Sequence, residues 1–280
     1  MRYAEVIGDP IAQSKSPIIH KFWLEQLRLP GDYRRTHVQT ATLASFFSQR
    51  RTDPDWLGCN VTIPHKERVA ALVDKIDSDS RLIGAVNCVV SERGILAGYN
   101  TDIDGVAAAL DTADIGGGKA VVIGAGGGAR AVLAYLARRG VGSLAILVRS
   151  PDRAAGLQAL LEQNSHCILP FDRAAVAFSR ADVIINASPL GMAGTEPMPR
   201  LILDALADHA AGVTIFDMVT TPATTEFLAV GELHGGRPID GLTMLVGQAA
   251  RAFTLFFGVP APQPDQKLRD LLTTDTRDST

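Results

Sequence analysis

An α/β protein in two parts is what this sequence predicts: a mixed α/β unit over the first hundred residues, then a doubly wound parallel sheet. Three observations predict it. Short apolar runs alternate with helical stretches along most of the second part, the pattern of βαβ units. Val121, Val122 and Ile123 are contiguous, as in a strand buried on both faces. Gly124-Ala125-Gly126-Gly127-Gly128-Ala129 follows that run directly, where a parallel strand turns into a helix. The 280 residues suffice for about two domains. With 46% hydrophobic and 20% charged residues, the composition excludes a disordered or collagen-like chain.

Residues 2–8 read as a strand. Ser16-Pro17 opens a helix, with Ser16 as N-cap and Pro17 in the first helical position. Ile18, Phe22, Leu24 and Leu27 supply its apolar side, and Pro30-Gly31 stops it. A strand near 33–39 and a helix near 42–50 follow. Residues 56–61 form a strand that ends at Pro64, and helical segments lie near 65–72 and 79–84. Residues 85–90 and 95–98 flank Glu92-Arg93-Gly94, a hairpin signature.

A helix over 103–111 ends before Gly116-Gly117-Gly118. Then come strand 119–123, helix 127–139, strand 143–148, helix 151–163, a short strand near 167–169, a helix near 173–179 and strand 182–186. A long loop carries Pro189, Pro197 and Pro199. Strand 213–217, helix 223–233 and a short strand at 238–240 close the run. From Gly241 the chain is helical to Phe257. Beyond Pro264 it is polar, with a short helix expected to fray.

Charge and cysteine usage exclude several function classes. Lys+Arg 27 against Asp+Glu 30 leaves −3, which gives no general drive toward nucleic acid or an anionic membrane. No run of 18 apolar residues offers a membrane span, and the N-terminus lacks a signal-peptide core. Cys59, Cys88 and Cys167 are odd in number and widely spaced, which predicts reduced thiols and a cytoplasmic location. The six histidines form no HxxxH or HExxH pair, and Cys59 and His65 have no second ligand pair nearby, so no metal is expected.

The glycine run fits G-x-G-x-x-A in the strand-to-helix context that the Rossmann dinucleotide motif needs. Gly124 permits the tight turn, Gly126 lets backbone approach a pyrophosphate, and Ala129 lets helix and sheet pack closely. With Gly127 and Gly128 they open a helix whose N–H groups and positive dipole end face the phosphates. The next strand ends Val148-Arg149-Ser150-Pro151-Asp152-Arg153. NAD sites usually carry an acid here for the ribose 2′-hydroxyl. Arg149, with Arg153 one helical turn on, instead suits a 2′-phosphate. NADP is therefore expected; Asp152 keeps NAD open.

Outside that motif, four polar clusters stand beside glycine and proline at expected strand ends: Ser14 and Ser16; Asn60 to Lys66; Asn87; and Asn100-Thr101-Asp102. Taken singly, each reads as a cap, a turn or a solvated lysine. Together they place one lysine and one aspartate where α/β folds bind ligands. Such a pair moves a proton when burial and partner charge set the lysine's pKa.

These clusters, in this order, resemble the shikimate dehydrogenase family over residues 3–257. The resemblance rests on Gly8 to Pro17 with His20, Asn60-Val61-Thr62-Ile63-Pro64-His65-Lys66, Gly84 to Asn87, Gly98 to Asp102, Asn186 to Met192 and Gly241 to Ala250. It implies reversible NADPH-linked reduction of 3-dehydroshikimate to shikimate in aromatic amino-acid biosynthesis. By matching position, Ser14 and Ser16 would hydrogen-bond the substrate carboxylate. Asn60, Thr62, Asn87 and Gln248 would hold the ring and its hydroxyls, and Lys66 and Asp102 would be the catalytic pair. Gly126 to Arg130 and Arg149, Ser150 and Arg153 would contact the cofactor, and Ser188, Met218 and Gly241 would lie on the nicotinamide side. It also implies a substrate domain over 1–103 completed by 241–280, whose last helix returns to it, and a Rossmann domain over 104–240. The expected assembly is a monomer or homodimer.

Five residues at four sites depart from the family pattern. Gln13 replaces a histidine, Cys88 a threonine, and Val148-Arg149-Ser150 an Asn-Arg-Thr. Thr220 replaces the tyrosine of an Asp-x-Val-Tyr motif at the substrate edge, which enlarges or rewets that corner. These changes keep an NAD-linked quinate/shikimate dehydrogenase open beside the NADP enzyme. A non-catalytic dinucleotide-binding regulator is the alternative from another class; it has no need of both Lys66 and Asp102.

Overall fold

The computed structural model describes residues 1–161 and 165–274, with Arg153, Ala155, Gln158 and Ala159 described for the backbone alone. The chain forms two compact units, Met1–Asp102 with the segment from Gln248 onward, and Ile103–Gly247.

In the first unit the elements are β1 (Tyr3–Gly8), α1 (Ser16–Gln26), β2 (Asp32–His37), α2 (Leu43–Arg50), β3 (Trp56–Val61), α3 (Lys66–Val69), β4 (Lys75–Ile76), α4 (Ser78–Ile83), β5 (Cys88–Glu92) and β6 (Ile95–Tyr99). The sheet runs β2-β1-β3-β5-β6-β4. β1 is parallel to β2 and β3, while β3, β5 and β6 pair antiparallel in turn. Every residue of β1 and β3 is buried, as expected of strands covered on both faces. Glu5, in the middle of β1, is fully buried, and its charge is met by Arg50 (2.7 Å) and by the Thr36 hydroxyl.

α5 (Asp102–Leu110) leads into the second unit. There follow β7 (Lys119–Ile123), α6 (Gly127–Arg138), β8 (Ser143–Val148), α7 (Gln158–Leu161), β9 (Ser165–Pro170), α8 (Ala174–Phe178), β10 (Val183–Asn186), α9 (Arg200–His209), β11 (Thr214–Asp217), α10 (Glu226–Leu233), β12 (Arg237–Ile239) and α11 (Gly241–Phe257). All six strands are parallel, in the order β12-β11-β10-β7-β8-β9. The chain leaves β7 toward β8 on one side and later places β10 on the other. The carboxyl ends of β7 and β10 therefore form the switch point where doubly wound sheets take ligands. The last helix, α12 (Gln266–Thr273), belongs to the first unit.

Several expectations need correction. Lys15, not Ser16, is the N-cap of α1. Ser16 is the first helical residue, and its N–H donates to Ser14 Oγ (3.4 Å). The strand expected from residue 85 starts at Cys88, because Gly84 ends α4 in the left-handed region at φ +73°. β4 has no sequence signal, being two residues long. The helix expected over 65–72 shortens to α3, and the one over 151–163 opens as a 3-10 helix, Pro151–Leu157, before α7; its last residues lie outside the described ones. The long proline-rich loop contains α9. Its prolines mask a helix start, since Pro199 stands at the N-cap, and Ile202, Leu203, Ala205 and Leu206 form the buried face. The helix expected to fray, α12, is anchored instead. Asp265 caps α12 by accepting from Leu268 N (2.9 Å), and Leu268 and Leu272 are 1% exposed.

Candidate functional site

In the first unit, polar residues from six segments converge. Lys66 opens α3 and Asp102 opens α5, and Lys66 Nζ donates to Asp102 Oδ2 at 2.6 Å. The Lys66 side chain is 28% exposed and that of Asp102 10%, so the pair faces solvent from a mostly buried position. The second Asp102 oxygen accepts from Asn87 Nδ2 (2.8 Å), and Asp102 N donates to Asn100 Oδ1 (3.0 Å). Asn100 is held in turn through Ala85 O (3.0 Å). Thr101 N donates to Asn87 Oδ1 (2.7 Å), which fixes the Asn87 amide. With both oxygens occupied, the carboxylate has one orientation, and it tethers an ammonium that keeps two further donors.

The remaining expected residues continue the same network. Thr101 Oγ1 donates to Gln248 Oε1 (3.3 Å), which ties α11 to the segment before α5. Asn60 lies within β3, not after it, and its Nδ2 donates to Asn87 O (3.4 Å). Asn60 Oδ1 accepts from the Tyr33 hydroxyl at 2.6 Å. Tyr33 is fully buried, and burial pushes its phenol well above the usual range, so it stays a neutral donor. A Ser16 hydrogen bond reaches the same phenol, and Ser14 Oγ lies 3.3 Å from Ser16 Oγ. The chain Ser14–Ser16–Tyr33–Asn60–Asn87–Asp102–Lys66 is thus one hydrogen-bonded system. Thr62 follows β3 half-buried. His20 stacks on Tyr33 with ring centroids 3.9 Å apart, and burial lowers its pKa to about 3, so it serves as a neutral packing ring.

In the second unit the glycine motif lies at the switch point. Gly124 has φ +108°, and a side chain there would also approach Ala187 O to 3.0 Å, so only glycine suits the turn. Gly126 is the N-cap of α6 with no side-chain cap, and positions 126 and 127 face open space. Ala129 is fully buried against the sheet. Gly124, Gly126, Arg149 and Ser188 line a cavity of about 980 Å³, a volume that admits a nucleotide. Uncapped helix N–H groups, an open glycine face and an adjacent guanidinium fit a phosphorylated dinucleotide.

Other expected cofactor residues take particular places. Ser188 Oγ donates to Asn186 Oδ1 (2.7 Å). Gly128 packs beneath Met218, whose Cε a side chain at 128 would meet at 2.8 Å. Gly241 admits the start of α11 against the Met218 and Val219 carbonyls, which an added Cβ would meet at 2.6 and 2.4 Å. Arg130 approaches Gly156, and Ser150 follows Arg149 at the end of β8. The side chain of Arg153 lies outside the described residues. Arg149 is ion-paired with Glu196, from the loop between β10 and α9.

Three contributors escape the sequence reading. Tyr33 reads as an ordinary strand aromatic, and nothing local marks its hydroxyl. Glu196 stands 47 residues from Arg149 in a stretch that reads as featureless loop. Asp217 registers only as part of a motif. It accepts from Thr225 Oγ1 (2.6 Å), Val219 N (3.0 Å) and Asn186 Nδ2 (3.0 Å), while burial pushes its pKa up to about 6 against those bonds.

Known proteins resemble the chain over most of its length. Residues 6–89 match the shikimate dehydrogenase substrate binding domain, residues 107–193 match shikimate / quinate 5-dehydrogenase, and residues 241–265 match the shikimate 5'-dehydrogenase C-terminal domain. The shikimate dehydrogenase (NADP(+)) of Sphingopyxis alaskensis is 48% identical over 272 residues, 96% of each chain. The shikimate 5-dehydrogenase of Thermus thermophilus, solved in complex with NADP(H) and shikimate, is 32% identical with a TM-score of 0.81 over 98% of each chain. That of Listeria monocytogenes, solved with shikimate and NAD, is 27% identical with a TM-score of 0.85, over 97% of this chain and 96% of that one.

Proposed function

The chain belongs to the shikimate dehydrogenase family, and from that premise we propose that it reduces 3-dehydroshikimate to shikimate reversibly, with NADPH as reductant and Lys66 and Asp102 as the catalytic pair. The observation that carries the mechanism is the 2.6 Å contact between Lys66 Nζ and Asp102 Oδ2. The first unit, completed by α11 from Gln248 onward and by α12, holds the substrate, and the second unit holds the cofactor.

When bound, the nicotinamide supplies the hydride that reaches the ketone carbon. Negative charge then develops on the ketone oxygen. Lys66, protonated and tethered by Asp102, stabilises that charge and delivers the proton that completes the hydroxyl. In the oxidative direction the amine accepts it. Asn87 fixes Asp102, so the ammonium is aimed before substrate arrives and needs no reorganisation during reaction. Ser14 and Ser16 bind the carboxylate, and Asn60, Thr62, Asn87 and Gln248 read the ring hydroxyls. The glycine loop and the N-terminus of α6 hold the pyrophosphate, and Arg149 takes the 2′-phosphate, with Arg130 and Ser150 beside it. Ser188, Met218 and Gly241 shape the nicotinamide side.

A second reading, an NAD-linked quinate/shikimate dehydrogenase, is favoured by Thr220 and by the carboxylate of Glu196 on Arg149. One kinetic matrix separates the two: shikimate and quinate, each with NADP+ and NAD+. We expect the highest kcat/KM with shikimate and NADP+. A higher value for quinate or for NAD+ selects the second reading, and no turnover in any cell removes both. Lys66→Ala should lower kcat by about 10²- to 10⁴-fold while shikimate still binds. Unchanged turnover in that variant refutes the catalytic assignment.

A further inference from the structure

We propose that Glu196 sets how strongly this protein prefers a 2′-phosphorylated dinucleotide to an unphosphorylated one. The inference rests on the reading of the cavity at Gly124 and Arg149 as the dinucleotide site. Arg149 enters that cavity from the end of β8, and Glu196 enters it from the loop between β10 and α9. Arg149 Nη2 donates to Glu196 Oε2 in an ion pair. Among the described residues lining the cavity, these two are the only Asp, Glu, Lys or Arg side chains, and their formal charges cancel. A site built purely for a phosphate dianion gains from an unopposed cation; this one carries its own anion on the guanidinium.

Two outcomes await a 2′-phosphate at Arg149. It displaces the Glu196 carboxylate, or it shares the guanidinium with it. Either way a dianion meets a like charge or breaks an existing pair. A ribose 2′-hydroxyl meets neither cost, and a carboxylate beside it is an acceptor of the kind NAD sites use. Glu196 thus narrows the gap between the two cofactors, chiefly by weakening the phosphorylated one.

The loop backbone is tied down, so relief has to come from the side chain. Gly191 N donates to Glu196 O (2.9 Å), Thr195 Oγ1 donates to Pro189 O (2.6 Å), and Ala193 N donates to Thr221 O (2.9 Å). The two side chains are 59% and 66% exposed, so the pair has the strength of a surface ion pair. It tunes the preference and does not switch it.

The test is a pair of dissociation constants, for adenosine 2′,5′-bisphosphate and for AMP, measured by calorimetry at one fixed ionic strength. The proteins are the full chain, Glu196→Gln, Glu196→Ala and Arg149→Ala. Glu196→Gln should tighten the bisphosphate by about three- to tenfold and leave AMP within about twofold, a size set by exposed charge pairs. Glu196→Ala should act in the same direction, and KM for NADP+ should fall while KM for NAD+ does not. An unchanged or weaker bisphosphate constant in both Glu196 variants overturns the proposal, as does an equal gain for AMP. Arg149→Ala keeps the two readings apart. If it weakens the bisphosphate selectively while the Glu196 variants are silent, the phosphate site stands and the role of Glu196 falls. If it leaves the bisphosphate-to-AMP ratio unaltered, the phosphate-site reading itself falls.

Discussion

Asp217 closes β11 with a carboxyl that the fold would hold more easily as the neutral acid. Its three hydrogen bonds favour the anion, yet burial outweighs them and the pKa stands near 6 against an ordinary 3.8. The fold therefore binds this proton more tightly than the unfolded chain does. The stability it contributes is fully present below about pH 4 and is lost as pH rises through about 6. Asp217→Asn keeps the acceptor for Val219 N and Asn186 Nδ2 and can donate to Thr225 Oγ1 once that hydroxyl turns. It removes the titration without removing the contacts. We expect the stability of Asp217→Asn relative to the parent to rise between pH 4 and pH 7 by about 3 kcal/mol at most, from the distance between the two pKa values. Urea unfolding at half-unit pH intervals reads this, and parallel curves would refute the assignment. At this scale the sequence is an uneven guide. Lys66 and Asp102 stand out because each sits beside glycine, proline or asparagine in a loop pattern. Tyr33 and Glu196 do not, since what matters is the distant group each one meets, Asn60 and Arg149 respectively.

α12 shows how an element distant in sequence supports the loop that carries Ser14 and Ser16. Leu268 and Leu272 bury one side of it, Asp265 caps it, and the carbonyl of Leu272 accepts from Lys15 Nζ at 2.8 Å. Lys15 lies between Ser14 and Ser16, so the helix pins the loop that is proposed to bind the substrate carboxylate. Truncation after Pro264 should raise KM for shikimate by about three- to thirtyfold, the range expected on losing one or two modest hydrogen bonds. KM for NADP+ should stay within twofold, because the residues proposed to hold the cofactor belong to the other unit. An equal rise in both constants would show a general loss of structure instead. The expectation that the helix beyond Pro264 frays fails because only two of the three leucines in its polar eight residues are buried, too weak a period to read without its docking surface. α9 fails to register for the opposite reason: Pro197 and Pro199 announce a loop, although proline is well tolerated where a helix begins. The strands of the parallel sheet are legible throughout, since β-branched runs such as Val121 to Ile123 carry their own signal.

For the whole molecule, the division of labour between the two units is the claim with the widest consequences. The first unit gathers Lys66, Asp102, Asn87 and Gln248 into one hydrogen-bonded set, and the second holds the glycine turn and the Arg149 cavity. Each set is complete within its own unit, so each ligand should find most of its partners without the other. Amide hydrogen exchange of the full chain reads this directly. NADP+ alone should slow exchange chiefly in the β7–α6 turn, the residues after β8 and the loop after β10. Shikimate alone should slow it chiefly around Ser14 to Ser16, Asn60 to Lys66, Asn87 and Thr101 to Asp102. Ligand at a hundred times its dissociation constant stabilises its binding state by about 2.7 kcal/mol, ample for a roughly hundredfold slowing where exchange runs through opening of the bound region. Protection by shikimate confined to the second unit, or by NADP+ confined to the first, would exchange the two assignments and with them the roles given to Lys66 and Arg149.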